Sequence, residues 1–132
     1  MTEKILLVDD EPSIVKIVGK RLEAEGFEVI TAMDGDAALM SARGEKPALI
    51  ILDLMLPKMD GYKVCAFLKQ DTRYQKIPII LFTARAQESD ERLGYECGAN
   101  AYIKKPFSAQ ELLEKIHSLL EEVKNGQKNP SH

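Results

Sequence analysis

The segment Ala48-Leu49-Ile50-Ile51-Leu52-Asp53 constrains this chain more than any other, because it has no polar face until its last residue. A strand sends alternate side chains to opposite faces, so an unbroken aliphatic run demands apolar cover on both. Pro57 and the pair Asp60-Gly61 close the run with turn formers. The segment therefore reads as a strand inside a covered sheet, with the carboxylate of Asp53 emerging at the rim. In open α/β sheets ligands bind at that rim. Taken alone, Asp53 is equally suited to an ordinary strand end that opens a loop.

The other elements alternate around it. Ile5-Leu6-Leu7-Val8 ends in Asp9-Asp10, and Pro12 suits the first turn of a helix carrying Ile14, Val15, Val18 and Leu22, which stops near Gly26. Residues 27–32 form a second strand. Asp34-Gly35-Asp36 opens a helix ended by Gly44 and Pro47. After the central strand, a helix from about Asp60 to Gln70 presents Val64, Cys65 and Leu68 inward. Pro78 to Phe82 is strand four, a short charged helix anchored by Leu93 spans about Ser89 to Cys97, and Asn100 to Ile103 is strand five. Ser108 and Glu111 make a capping-box pair before a helix with the stripe Leu112, Leu113, Ile116, Leu119, Leu120 and Val123. Five strands alternating with five helices imply right-handed crossovers, hence an α/β fold: a parallel sheet with helices on both faces, in three layers. The domain is expected over residues 1–124, with a flexible tail at 125–132.

A net charge of −3 with no block of like charges argues against nucleic-acid binding as the main role. The longest apolar run is far short of the roughly 18 residues that suggest a membrane span, and Met1-Thr2-Glu3-Lys4 shows no signal-peptide pattern. Cys65 and Cys97 lack metal-type spacing and read as small core residues. A cytoplasmic, reduced protein is expected.

In a parallel sheet the C-terminal ends of all strands share one edge. Asp9, Asp10, Asp53 and Thr83 end strands, and Lys105 closely follows one. Each has an ordinary explanation alone: Asp10 as a helix N-cap, Thr83 as a strand former, Lys105 as a solvated loop charge. Together they place three carboxylates, a hydroxyl and an ammonium at one rim. Crowded carboxylates need a cation or must hold protons. All-oxygen ligands in an open site suit Mg²⁺, which binds through one or two carboxylates plus a phosphate. A carboxylate can also act as nucleophile and form an acyl phosphate, with a lysine and a hydroxyl contacting the phosphoryl oxygens.

With these residues in view, the sequence resembles the receiver domains of two-component response regulators from about Lys4 to Lys124. The matching motifs are LLVDDEP at 6–12, LIILDLMLPKMDG at 49–61, ILFTA at 80–84 and GANAYIKKPF at 98–107. The resemblance implies a flavodoxin-like (βα)5 fold with sheet order 2-1-3-4-5. It implies Asp53 as phosphoacceptor, with Mg²⁺ held by Asp10, by Asp9 directly or through water, and by the backbone carbonyl of Met55. Thr83 and Lys105 would contact the phosphoryl group, Tyr102 would be an aromatic switch coupled to Thr83, and the Lys105-Pro106 bond would be cis. The phosphate would come from a histidine kinase or phosphotransfer protein. The signal would leave through the face of the fourth helix, fifth strand and fifth helix, toward a partner protein or an output domain. Such a module turns over no external substrate; it assists only its own phosphorylation and dephosphorylation.

Two positions give this sequence its own character. Met55 cannot orient a hydrolytic water through its side chain, and Arg85 could screen the phosphoryl group, so a long-lived acyl phosphate is expected. Glu88, Asp90, Glu91, Arg92, Glu96 and Lys104 give the signalling face mixed charge, compatible with a homodimer or with solubility alone. The competing readings are a phosphorylation-independent adaptor and a flavodoxin-like cofactor binder. The latter wants a Ser/Thr/Gly-rich phosphate loop where this chain has Asp9-Asp10-Glu11. An aspartate-nucleophile phosphatase fits the first strand end no better.

Overall fold

The computed structural model describes residues 2–83 and 97–128. Its elements are β1 (Lys4–Val8), α1 (Pro12–Ala24), β2 (Glu28–Ala32), α2 (Gly35–Glu45), β3 (Leu49–Asp53), α3 (Gly61–Gln70), β4 (Ile79–Thr83), β5 (Ala101–Lys104) and a C-terminal helix (Ala109–Lys128). The helix expected between β4 and β5, with Leu93 as its anchor, lies outside the described residues.

All strand pairs are parallel and the sheet order is β2-β1-β3-β4-β5, so β3 is central. Every residue of β3 is buried, as an aliphatic run with no polar face requires. Its side chains divide by parity. Ile50 and Leu52, with Leu6 and Val8 of β1, pack under α2 and α3 against Ala38, Leu39, Val64 and Leu68. Leu49 and Ile51, with Ile5 and Leu7, pack under α1 and the C-terminal helix against Val18, Leu22, Leu112 and Ile116. Each such Leu, Ile or Val contributes roughly 1.5–3 kcal/mol relative to exposure. The three-layer α/β architecture is therefore the one expected.

The helix ends explain how the strands are aimed. Asp34 caps α2 by accepting from the Ala37 N–H at 2.8 Å, and Asp60 caps α3 by accepting from Lys63 N–H at 3.0 Å. Ser108 likewise accepts from the Glu111 N–H at 3.0 Å. α1 starts on Pro12 with Glu11 as its N-cap residue and no side-chain cap, so Asp10 is not used as a cap. α2 passes Gly44 and stops where Lys46 adopts a left-handed conformation, φ 47°, its N–H bonded to the Ala42 carbonyl. β4 and β5 each run one residue further than their apolar patterns suggest, because Thr83 pairs with Lys104. The C-terminal helix continues past Lys124 to Lys128. Adding a helical turn to a packed helix costs little once the nucleus exists.

Candidate functional site

At the C-terminal edge of the sheet, β1 delivers Asp9 and Asp10, β3 delivers Asp53, and the loop after β5 delivers Lys105. The three aspartates each present a carboxylate oxygen within 4.8 Å of the others. Asp9 and Asp53 are buried and Asp10 is exposed, so the cluster is open to solvent on one side. Lys105 Nζ donates to Asp9 Oδ2 at 3.0 Å and to Asp53 Oδ2 at 3.3 Å. It also stands 4.0 Å from Glu11 Oε1 and 4.7 Å from the centre of the Phe82 ring.

The backbone holds the remaining carboxylate oxygens. Asp9 Oδ1 accepts from the Glu11 N–H at 2.9 Å, and Asp53 Oδ1 accepts from the Met55 N–H at 3.0 Å. Each carboxylate is thus clamped between an amide and the ammonium. The loop after β3 is fixed in turn: the Gly61 N–H bonds the Leu54 carbonyl at 3.0 Å, and the Gly35 N–H of α2 bonds the Pro57 carbonyl at 3.3 Å. Lys58 takes φ 68° within that loop. A Cβ at Gly61 would lie 2.4 Å from the Asp53 carbonyl oxygen, so only glycine lets α3 start this close to the acid.

Electrostatics follow from this crowding. Burial pushes the Asp53 carboxyl above its ordinary value. The Met55 N–H and the Lys105 charge oppose the rise, and the Asp9 charge adds to it. For Lys105, burial alone would lower the ammonium's affinity for its proton. The Asp9 hydrogen bond and the charges of Asp53 and Asp9 outweigh that and raise it. With all groups ionised, three carboxylates against one ammonium leave 3 − 1 = 2 negative charges, which one divalent cation balances. The donors are all oxygen and one side is open, a set that fits a hard cation of the Mg²⁺ type.

Four of the residues singled out from the sequence (Asp9, Asp10, Asp53 and Lys105) therefore meet. Thr83 ends β4 beside Lys104 in register. The Met55 side chain is exposed, 56%, and its amide is part of the site. Tyr102 is buried, opposite Leu81 in the sheet and within the core under α3. An edge strand leaves an aromatic half-covered only if no helix or turn packs over that face, and here Ala99 and Leu68 share its cluster. The Lys105-Pro106 peptide bond is cis. Arg85, Glu88, Asp90, Glu91, Arg92 and Glu96 lie outside the described residues, and Lys104 is exposed. Glu11 and Phe82 were not foreseen as neighbours of the ammonium. Phe82 pairs with Asp53 in the sheet register, and that pairing is the signal that could have placed it.

The family model for the response regulator receiver domain matches residues 5–117. The chain is 49% identical over 122 residues to the alkaline phosphatase synthesis transcriptional regulatory protein PhoP of Bacillus subtilis, covering 91% of this chain and 49% of that protein. It spans about half the length of the curated relatives it matches. Among solved structures, a CheY-like receiver domain protein from Methanospirillum hungatei superposes with TM-score 0.89 at 30% identity, covering 95% of this chain and 98% of that one. The receiver domain of a Pseudomonas aeruginosa sensor histidine kinase, solved with a magnesium ion coordinated in its active-site cleft, gives TM-score 0.85 at 30% identity over 92% of this chain and 99% of its own.

Proposed function

The chain belongs to the response regulator receiver domain family, and on that premise we propose that Asp53 is its phosphoacceptor, working with Mg²⁺ held by Asp9, Asp10 and the backbone carbonyl of Met55. The single observation that carries this reading is the clamp on Asp53. One carboxylate oxygen is held by the Met55 amide and the other by Lys105, at the meeting point of three acids.

A histidine kinase or phosphotransfer protein is the donor. An Asp53 oxygen attacks phosphorus, the new P–O bond forms as the donor's P–N bond breaks, and the imidazole leaves with a proton. Mg²⁺, when bound, neutralises charge on the phosphoryl oxygens and on the carboxylates around them. Lys105 already points its ammonium at Asp53 and needs only a small shift to meet a phosphoryl oxygen in the same place. The Thr83 hydroxyl is the second donor to that group. Movement of Thr83 is then read through Tyr102, which shares the neighbouring strand, and passes to a partner protein or output domain. This module turns over no external substrate. The relatives it matches are named as transcriptional regulators, so control of a DNA-binding output in a longer chain is the form of output we favour.

Incubation with a small phosphodonor, followed by intact mass, tests the reading. The expected result is one phosphoryl adduct that requires Mg²⁺, is removed by hydroxylamine, and maps to the peptide containing Asp53. No adduct under any condition would favour a phosphorylation-independent adaptor. The exposed Met55 side chain has no group to align an attacking water, which supports a long-lived acyl phosphate. Met55→Asn is expected to speed its loss by roughly tenfold or more. Equal decay of the two proteins, followed after donor removal, would sink that part of the proposal.

A further inference from the structure

A second group of reactive side chains lies at the opposite edge of the sheet, where β4 and β5 begin. Cys65, on the inner face of α3, is fully buried, and Cys97, ahead of β5, is half-buried. Neither is in a disulfide. The Cys65 thiol donates to the Cys97 carbonyl oxygen at 3.7 Å, which holds the two cysteines against each other. Lys69, one turn beyond Cys65 on α3, donates its ammonium to the carbonyls of Gln75 at 3.1 Å and Ile77 at 2.7 Å. Burial lowers the ammonium's hold on its proton, and the neighbouring cysteines oppose that. Its stem lies against Gly98, next to Cys97, where φ is 101° and a Cβ would meet Lys69 Cγ at 2.9 Å.

The pair is asymmetric. The hydrogen bond shared with Cys97 pushes the Cys65 thiol well up, and burial adds to it. The same bond holds the Cys97 thiol below its ordinary value against the effect of burial, with Lys69 assisting. Cys97 is also the more accessible of the two, and Cys65, its thiol on the Cys97 carbonyl, is buried behind it. That arrangement, an attacking thiolate beside a cation with a resolving thiol in contact, is the one reactive cysteine pairs use.

We propose that Cys65 and Cys97 form a peroxide-oxidisable dithiol that closes into an intramolecular disulfide. The Cys97 thiolate attacks one oxygen of hydrogen peroxide and the O–O bond breaks. The departing hydroxide takes a proton to become water, leaving Cys97 as sulfenic acid. The Cys65 sulfur, giving up its proton, then attacks the Cys97 sulfur. The S–O bond breaks and a second water leaves. Two thiols and one peroxide become one disulfide and two waters, the two electrons passing from sulfur to peroxide oxygen. In a reducing compartment such a bond is transient and suited to sensing. It would tie α3 to the turn that feeds β5, the strand bearing Tyr102 and leading to Lys105. The proposal does not depend on Asp53 being a phosphoacceptor.

The test uses the full chain, reduced, freed of reductant and exposed to graded hydrogen peroxide. The expected product is a monomer lighter by two hydrogens, with both thiols lost, a Cys65–Cys97 linked peptide, and full reversal by dithiothreitol. In Cys65→Ala, Cys97 should stop at a sulfenic acid that a dimedone probe captures. In Cys97→Ser, Cys65 should stay reduced at the same peroxide dose. Lys69→Met should slow thiol loss several-fold while circular dichroism verifies the fold. Oxygen addition at Cys97 with Cys65 still reduced, linkage only between molecules, or no thiol loss at doses that oxidise free cysteine would each overturn the proposal.

Discussion

Asp53→Asn is expected to abolish the Mg²⁺-dependent phosphoryl adduct completely and, in the absence of metal, to make the folded protein more stable at neutral pH. The first effect follows because an amide is not a nucleophile toward phosphorus under these conditions. The second follows from burial. The Asp53 carboxyl is raised above its ordinary value mainly by desolvation, with the Met55 N–H and Lys105 only partly offsetting it and Asp9 adding to it. A raised value means that the folded state holds this proton more tightly than the unfolded state does. The group's favourable contribution is full below the unfolded value near 3.8 and is lost as pH rises through the folded value. At neutral pH the ionised carboxylate therefore opposes folding. Asparagine keeps the oxygen that accepts from Met55 and removes the charge, while Lys105 keeps its bond to Asp9. Urea midpoints in chelator, measured across pH for both proteins, should separate above the ordinary carboxylate range and converge below it. An adduct that persists in Asp53→Asn would remove Asp53 from its role. A variant no more stable than the parent at neutral pH would show that Lys105 fully compensates the buried charge.

Gly61→Ala leaves every site side chain in place and is expected to cost about 3 kcal/mol. The added carbon would stand 2.4 Å from the Asp53 carbonyl oxygen and 2.8 Å from Leu54 Cα, both backbone atoms that cannot rotate away. Either α3 retreats from the sheet or the end of β3 moves. The first uncovers Val64 and Leu68, and the second disturbs the clamp on Asp53. A fall in thermal midpoint of roughly 10 °C is expected for a chain this size, together with slower phosphorylation. As a control, Gly44→Ala should be neutral or slightly stabilising, since its added carbon would meet nothing within 4 Å and the residue is helical. Equal midpoints for Gly61→Ala and the parent would mean that the contact relaxes at no cost.

The convergence of Asp9, Asp10, Asp53 and Lys105 was legible because a parallel sheet sends every strand's C-terminus to one edge. Once Leu49 to Leu52 demanded cover on both faces, the meeting of the acids followed from topology. The details that depend on side-chain direction were not. No spacing rule says that Lys105 bridges Asp9 and Asp53 while Lys104, its neighbour, stays exposed. Nor does one say that Glu11 comes within 4.0 Å of the same ammonium. The cover over Tyr102 was not legible either, because it comes from residues far away in the chain, and a local pattern on an edge strand carries no record of them. Cys65 and Cys97 read as two unrelated core thiols for the same reason: 32 positions separate them, and only the packing of α3 against the start of β5 brings them together.

The parity split of the strands has a consequence for how such a chain can vary. Residues beneath α2 and α3 and residues beneath α1 and the C-terminal helix are walled off from each other by the sheet, and among the described residues none belongs to both groups. Substitutions in the two layers should therefore combine nearly additively. One layer can drift, repack or specialise for a new partner without compensating change in the other. The freedom ends at the rim, where the last residue of β3 and the first acid after β1 hold the same Lys105 ammonium and each constrains the other.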